Sequence, residues 1–256
     1  MQIDQSSDRA VYRQIADILR QAINDGTYGP GARLPSENEL AKTYGVTRVT
    51  ARRAFGELAA EGLTVSQHGR GVFVRSSPVI IRAGMNRFSR KRREAGDGAF
   101  AAEVKRLGMT PSQKLLEVGA IDPPGYVAEL LKLSEGDQTV VRRRIMFADD
   151  VPMQLADSYF PASLAAGTKL VEQDSGPGGS YARVEEAGHM LTRFREDLTA
   201  RMPTPDEART LQLAGGVPVV QLVRVAYDQN DVPVEVFDSV VAADKYSFSY
   251  EFAAPE

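Results

Sequence analysis

Residues 30–75 read PGARLPSENELAKTYGVTRVTARRAFGELAAEGLTVSQHGRGVFVR. Ser36-Glu37-Asn38-Glu39 fits a capping box, in which the serine oxygen takes the Glu39 amide and Glu39 reaches back. A helix therefore opens at Ser36. Tyr44-Gly45 ends it, and Gly45 suits the positive φ of a tight turn. Thr47 is a good cap for a following helix over 48–61. Ala51, Ala54, Phe55 and Leu58 form the inner face of that helix. Arg48 and Arg52 lie one turn apart on its outer side, with Thr50 and Arg53 beside them. No acidic residue at 48–56 is available to pair with these arginines. Two short strands follow, 63–66 and 72–74, joined by Gln67-His68-Gly69-Arg70-Gly71. Capped helix, turn, arginine-rich helix and basic hairpin are the parts of a winged helix-turn-helix.

The chemistry of those residues suits duplex DNA. An arginine can fork onto guanine O6 and N7, and a threonine can touch a thymine methyl or a phosphate. Arg70 at the hairpin tip could enter a minor groove. His68 could touch phosphate or base, or be a plain surface turn residue. Upstream, Val11, Ile15, Ile18, Leu19, Ala22 and Ile23 recur at helical spacing, which predicts a helix over 9–24 ended by Asp25-Gly26.

The chain has 256 residues, enough for two ordinary domains, with 43% apolar and 25% charged residues. It has no cysteine, which excludes disulfides and thiolate metal sites and suits a cytoplasmic protein. Two histidines leave little for a metal site, and His189 beside Glu185 and Glu186 reads as a solvated face. No apolar run reaches the roughly 18 residues of a membrane span, and the polar start MQIDQSSDRA lacks a signal core. The net charge of −3 hides an asymmetry. Residues 1–93 hold 16 Lys/Arg against 8 Asp/Glu, and residues 94–256 hold 15 against 26. A basic head on an acidic body is expected where only the head meets phosphate.

The head resembles the GntR family of bacterial transcription regulators. Tyr12-Arg13-Gln14-Ile15, Leu34-Pro35-Ser36-Glu37, Gly45-Val46, Arg48, Thr50, Arg52 and Gly69-Arg70-Gly71 with Phe73-Val74 carry the likeness over residues 9–75. The resemblance implies that Arg48, Thr50 and Arg52 face DNA, with Arg33, Ser36 and the wing residues His68, Gly69 and Arg70 supporting the contact, while Arg53 beside Arg52 is a candidate phosphate contact.

Residues 77–97 form a basic linker, with Arg87, Arg90, Lys91, Arg92 and Arg93 in one run. It reads as a solvated tether, with a second role against phosphates or the acidic body left open. Beyond it, a segment from Arg144 to Ser158 aligns with one from Arg224 to Ser239. Each reads strand, Asp/Asn-rich turn, strand. The duplicated hairpin suggests a sheet with a pseudo-twofold axis. Helices are expected over 98–107, 182–190 and 204–213, the last starting at Thr204-Pro205 with Glu207 as its box partner. Helices on an antiparallel sheet make the fold class α+β.

This body resembles the UTRA domain of HutC-type GntR regulators, which is similar to the chorismate lyase fold. Leu107-Gly108, Ala148-Asp149-Asp150-Val151-Pro152, Ser158-Tyr159-Phe160-Pro161, Pro233-Val234-Glu235 and Asp244-Lys245-Tyr246 carry the likeness over residues 98–250. The expected division is 1–76 for the DNA-binding head, 77–97 for the linker and 98–256 for the body. The resemblance implies an effector pocket lined by Arg142, Arg144, Tyr159 and Glu235. Arg142 and Arg144 alternate on a strand, so both point to one face and could fork onto a carboxylate or phosphate. They could instead form salt bridges, and Glu235 could hold one of them rather than ligand. The first body helix begins Gly98-Ala99-Phe100-Ala101, without the Ser/Thr that phosphosugar-sensing members tend to carry there.

The expected function is a homodimeric repressor on a near-palindromic operator, controlled by a small-molecule effector, with no cofactor, no metal, no catalytic residue and no membrane partner. A lyase-like enzyme is one alternative, although no nucleophile–base pair is apparent. A ligand-independent architectural DNA binder is another, against which the facing arginines argue.

Overall fold

The computed structural model describes residues 3–4, 7–67, 69–75, 80–83 and 98–251. Its contacts fall into two units, and the first covers the head.

Among the described residues, the head has three helices, α1 (Val11–Asn24), α2 (Glu37–Tyr44) and α3 (Arg48–Ala60). The Ser36 capping box forms as its residue types require: the Glu39 amide donates to Ser36 Oγ at 3.2 Å and the Ser36 amide to Glu39 Oε2 at 2.6 Å. Gly45 closes α2 at φ 64°, which favours glycine. Thr47 caps α3 by accepting from the Thr50 amide at 3.2 Å. The three helices bury Ile15, Leu19, Leu40, Ala51, Ala54, Phe55 and Leu58 in one cluster with Leu34 and Val74. Each such leucine or isoleucine contributes about 1.5–3 kcal/mol through its removal from water. The wing is the hairpin β1 (Thr64–Gln67) with β2 (Gly71–Val74), its first strand one residue later than expected. Residues before α2 extend it, since Leu34 N donates to Val72 O at 2.8 Å and Arg33 bridges to Phe73.

Among the described residues, the body is a six-stranded antiparallel sheet with four principal helices. Its elements are β3 (Ile80–Ala83), α4 (Ala99–Arg106), β4 (Pro111–Ile121), α5 (Gly125–Leu131), β5 (Thr139–Ala148), β6 (Val151–Pro161), the short α6 (Ala162–Ala165), α7 (Gly179–Glu186), β7 (Arg193–Arg201), α8 (Pro205–Thr210), β8 (Val219–Tyr227), β9 (Pro233–Ala242) and β10 (Tyr246–Ser249). The strand order β4-β5-β6-β9-β8-β7 has the same pattern from either edge. Helix, strand, helix and hairpin occur twice, as α4-β4-α5-β5-β6 and α7-β7-α8-β8-β9. The hairpins are those whose sequences align. At the centre of the sheet β6 pairs with β9, and Asp157 faces Asp238, the two aspartates that the alignment matches.

Two expected boundaries move. The helix expected over 182–190 occupies Gly179–Glu186, because the chain enters it at Gly178 and leaves it at Ala187 before Gly188. The linker expected over 77–97 contains a strand, since Ile80–Ala83 pairs in parallel with Tyr246–Ser249. Ile80 is buried there with Phe100, Val104 and Tyr246, so burial of this apolar side chain overrides the tether reading. The basic run 87–93 lies outside the described residues.

One face of the sheet is covered by α4 and α7, the other by α5. On the first face Val104 packs with Ala148 and Met153, and Val184 packs with Val140, Phe160 and Ala226. On the second, Val127 and Leu131 pack with Val141, Tyr159, Val225 and Val236. Side chains alternate between faces along each strand, which decides what the body can present to a ligand.

Candidate functional site

In the head, the N-terminal turns of α3 carry the outer arginines. The side chains of Arg48 and Arg52 are 63% and 67% exposed. Thr50 Oγ1 lies 3.0 Å from Thr47 Oγ1, so it is tied to the cap while its methyl lies on the first turn. Arg53 takes another direction and sits 5.7 Å from the Tyr12 ring centroid. Arg33 lies on the strand-like segment against the wing. A methyl added at Gly71 would meet its Nε at 3.1 Å. Arg70 lies over the Phe73 ring at 5.8 Å, beside the turn at Gly69. Ser36 spends its oxygen as a cap acceptor and keeps its hydroxyl hydrogen. His68 lies outside the described residues.

The arginines are not unpaired, contrary to the reading of 48–56 alone. Glu37, the first residue of α2, accepts from Arg52 Nε at 2.8 Å and from Arg52 Nη2 at 3.0 Å. Arg48 Nη2 lies 3.6 Å from the same carboxylate. Hydrogen bonds from Arg52, together with the nearby charge of Arg48, hold the Glu37 carboxyl below its ordinary value. The partner comes from the preceding helix, so no local window reveals it.

In the body, a cavity of about 320 Å³ opens on the face of the sheet that α4 and α7 cover. The N-terminus of α4 (Gly98, Ala99, Phe100) and that of α7 (Gly178, Gly179, Ser180, Tyr181) both line it. Its sheet wall includes Arg144, Ser158, Arg224, Glu235 and Phe237. Arg144 and Arg224 are matched positions of the repeat, so the cavity receives one guanidinium from each half. Among the described residues, the Arg144 side chain makes a single hydrogen bond, from Nη2 to Ser158 Oγ at 2.8 Å. Burial pushes the Arg144 guanidinium down to about 10, against the pull of Glu235 and aided by Arg142 and Arg224. It is still a cation at neutral pH, with a neutral hydroxyl for partner. Arg224 Nη2 lies 3.8 Å from Glu235 Oε2, and its guanidinium stacks 4.4 Å from the Phe237 ring centroid.

Two of the expected effector residues lie elsewhere. Arg142 shares a face with Arg144, yet Nη1 donates to Leu170 O at 2.8 Å and to Glu172 O, and Nη2 to Gln173 O at 3.0 Å. It pins the loop after α6 and is absent from the cavity lining. Tyr159 stands on the opposite face, where alternation also puts Asp157, and its hydroxyl donates to Asp157 at 3.4 Å. Arg143 shares that face and pairs with Glu117 and Asp157. Arg144 and Glu235 are the expected residues that meet in the cavity.

A family model for the UTRA domain matches residues 106–247, and one for bacterial regulatory proteins of the gntR family matches residues 11–74. The chain belongs to the gntR family. It is a transcriptional regulator with a DNA-binding helix-turn-helix and a UTRA effector domain. This gntR-family chain is 30% identical over 249 residues to the HTH-type transcriptional repressor NagR of Bacillus subtilis (strain 168), covering 97% of each chain. It is 27% identical to the HTH-type transcriptional regulator GgaR of Escherichia coli (strain K12), over 94% of this chain and 90% of that one. Among solved structures, PhnF from Mycobacterium smegmatis superposes with a TM-score of 0.60 at 25% identity, over 96% of this chain and 100% of that one.

Sequence reading of this gntR-family chain missed Arg224 and Ser158 in the cavity and Glu37 in the head. The signal for Arg224 was present, because the hairpin alignment sets it opposite Arg144. His189 falls outside the cavity and meets Asp228 Oδ2 at 2.8 Å. Among the described residues no group of three or more His, Cys, Asp or Glu could hold a metal ion, and no helix is long and apolar enough to cross a membrane.

Proposed function

We propose that this gntR-family regulator is a homodimeric repressor whose operator binding is controlled by a small anionic effector bound between Arg144, Arg224 and Glu235. The observation that carries the reading is Arg144, a partly buried cation in a cavity with a single neutral partner. An anion there would gain a charge-assisted fork without displacing a salt bridge. The two helix N-termini add partial positive charge toward the same space. In the head, Arg33, Ser36, Arg48, Thr50, Arg52, Arg53, His68, Gly69 and Arg70 form the DNA-facing set, with Arg48 and Arg52 reading bases. Residues 1–76 act as the head and residues from Ile80 onward as part of the body.

A single head buries little surface on DNA, so tight binding calls for two heads on a near-palindromic site. A closed twofold dimer is the commonest arrangement that supplies them. An effector that changes operator occupancy tenfold needs only about 1.4 kcal/mol of preference for one of the protein's conformations. The repressor reading follows the name of the relative NagR.

The test begins with operator selection from random duplex DNA by the full chain, followed by a melting-shift screen of carboxylate and phosphate metabolites. A hit is then titrated against operator complexes of wild type and Arg144→Ala. Loss of the response in the variant is expected. A folded Arg144→Ala protein with unchanged midpoint and amplitude removes Arg144 from the site. A monomer in light scattering, with a footprint on one asymmetric half-site, overturns the dimer.

A further inference from the structure

Two of the cavity charges belong to a longer chain of buried ions. Arg82 on β3, Glu196 on β7, Arg224 on β8 and Glu235 on β9 follow one another across the body. Arg82 Nη2 lies 3.3 Å from Glu196 Oε1, the same oxygen lies 3.5 Å from Arg224 Nη1, and Arg224 Nη2 lies 3.8 Å from Glu235 Oε2. The four side chains are 2%, 9%, 6% and 3% exposed, so solvent screens them little. Tyr250 donates to the other Glu196 oxygen at 2.8 Å. Arg224 and Glu235 line the cavity, whereas Arg82 and Glu196 do not.

Arg82 occupies a particular place in the chain. It sits on the first described strand after the wing, and β3 begins six residues after β2 ends at Val74.

We infer that Glu196 is a positioning residue that couples the charge state of the cavity to the hold on β3. One carboxylate oxygen is divided between two arginines. When Arg224 is satisfied from the cavity side, by Glu235 or by an anion, Glu196 is released toward Arg82 and β3 is held more firmly. When Arg224 loses its cavity-side carboxylate, it draws on Glu196 and the hold on Arg82 weakens. Ion pairs of 3.5 and 3.8 Å are loose enough to redistribute in this way, and in a low-dielectric interior small shifts carry weight. The sign of the effect of an anion rests on the effector reading above. The coupling between Arg224 and β3 does not.

Amide hydrogen exchange on the full-length chain tests the coupling without DNA or effector. Peptides covering 80–83 report the hold on β3, and peptides from β5 report global stability. Glu235→Gln, nearly isosteric, removes the carboxylate that Arg224 faces on the cavity side, leaves the Tyr181 contact in place, and is expected to speed β3 exchange about tenfold relative to β5. Arg224→Gln frees Glu196 and is expected to slow it by a similar factor. In a Glu196→Gln background neither change is expected to alter β3 exchange. Unchanged β3 exchange in Glu235→Gln overturns the proposal, as does an equal effect with and without Glu196. Arg224 also stacks on Phe237, so should Arg224→Gln fail to fold, the comparison of Glu235→Gln with Glu235→Gln/Glu196→Gln decides alone. A positive exchange result with no anion found would sink the effector reading and leave the coupling standing.

Discussion

Arg52 of the recognition helix lies fork to fork with Glu37 of the helix before it, Nε and Nη2 donating at 2.8 and 3.0 Å. Arg52 is mostly exposed and Glu37 about one quarter exposed, so the pair adds little to folding. On the proposed function its effect falls on DNA binding. Glu37 orients two arginines in advance, and its negative charge opposes any phosphate that approaches them. A base edge that satisfies the fork can replace Glu37, whereas a phosphate must also meet its repulsion. Glu37→Gln is expected to strengthen binding to random duplex and to steepen the salt dependence by about one unit of log–log slope. The ratio of operator to random affinity is expected to fall. Fluorescence anisotropy over a salt series measures both, and equal weakening on both DNAs would instead make Glu37 a direct contact.

The proposed function makes Arg48 and Arg52 the base readers. Arg48→Ala and Arg52→Ala are each expected to lose about ten- to a hundredfold in operator affinity and much less on random DNA. Arg53 leans toward Tyr12, and Arg53→Ala is expected to weaken all sequences alike. Equal loss on both DNAs for Arg48→Ala would end its assignment as a reader.

The wing is built around Gly71, whose φ of 119° and close approach to Arg33 Nε exclude a side chain. Gly71→Ala is expected to cost about 1–3 kcal/mol in urea unfolding of the head. Shortening Arg33 clears the space but leaves the backbone strain. Gly71→Ala/Arg33→Ala is therefore expected to recover part of the loss. Full recovery would show that crowding, not the backbone, excludes the alanine.

The head was legible in sequence because its determinants are local. Ser36 finds Glu39 three residues away, Thr47 finds Thr50, and the apolar stripes have helical spacing. The body hairpins were legible because the chain states them twice. What escaped depends on side-chain direction or on distant partners. Arg142 and Arg144 share a face, but only the loop carbonyls at 170–173 show that Arg142 is engaged there. Tyr159 follows a simple parity rule that places it opposite Ser158 and away from the cavity. Ile80 is buried only because Tyr246–Ser249 returns to pair with its strand, some 160 residues later. The helix at Gly125–Leu131 escaped because a seven-residue segment shows too little periodicity.

Arg142 and Arg144, two residues apart, are expected to behave oppositely when truncated. Arg142→Ala strips donors from three carbonyls of a packed loop and is expected to destabilise the body by about 3–5 kcal/mol. Arg144→Ala removes a desolvated cation whose partner is one hydroxyl, and a change within about 1 kcal/mol is expected. Urea unfolding followed by a body probe compares them. A large loss for Arg144→Ala would mean that its charge is structurally satisfied, against the effector reading.

The pair of Arg201 with Glu207 gives the body a pH signature. Arg201 Nη1 and Nη2 reach the two Glu207 oxygens at 2.7 Å each, and the Thr204 amide donates to Oε2 at 2.8 Å. Hydrogen bonds from Arg201, opposed by burial and aided by the cap, hold the Glu207 carboxyl below its ordinary 4.5. A carboxyl depressed in the folded state stabilises fully above its unfolded value. That contribution is lost as pH falls from about 4.5 through the lower folded value. Asp157 works in the other direction: burial raises its carboxyl, so its effect favours folding as pH falls. A wild-type profile mixes the two, and the difference from Glu207→Gln isolates one. That variant is expected to be about 1 kcal/mol less stable at pH 7, allowing for screening of a partly exposed arginine. The gap should narrow steadily below about pH 4.5, because the wild-type carboxyl is then protonated as well. Thermal melting of both proteins from pH 7 to pH 3.5 measures the gap. A gap that stays constant over that range would show that the cap geometry, rather than the carboxylate charge, supplies the stability.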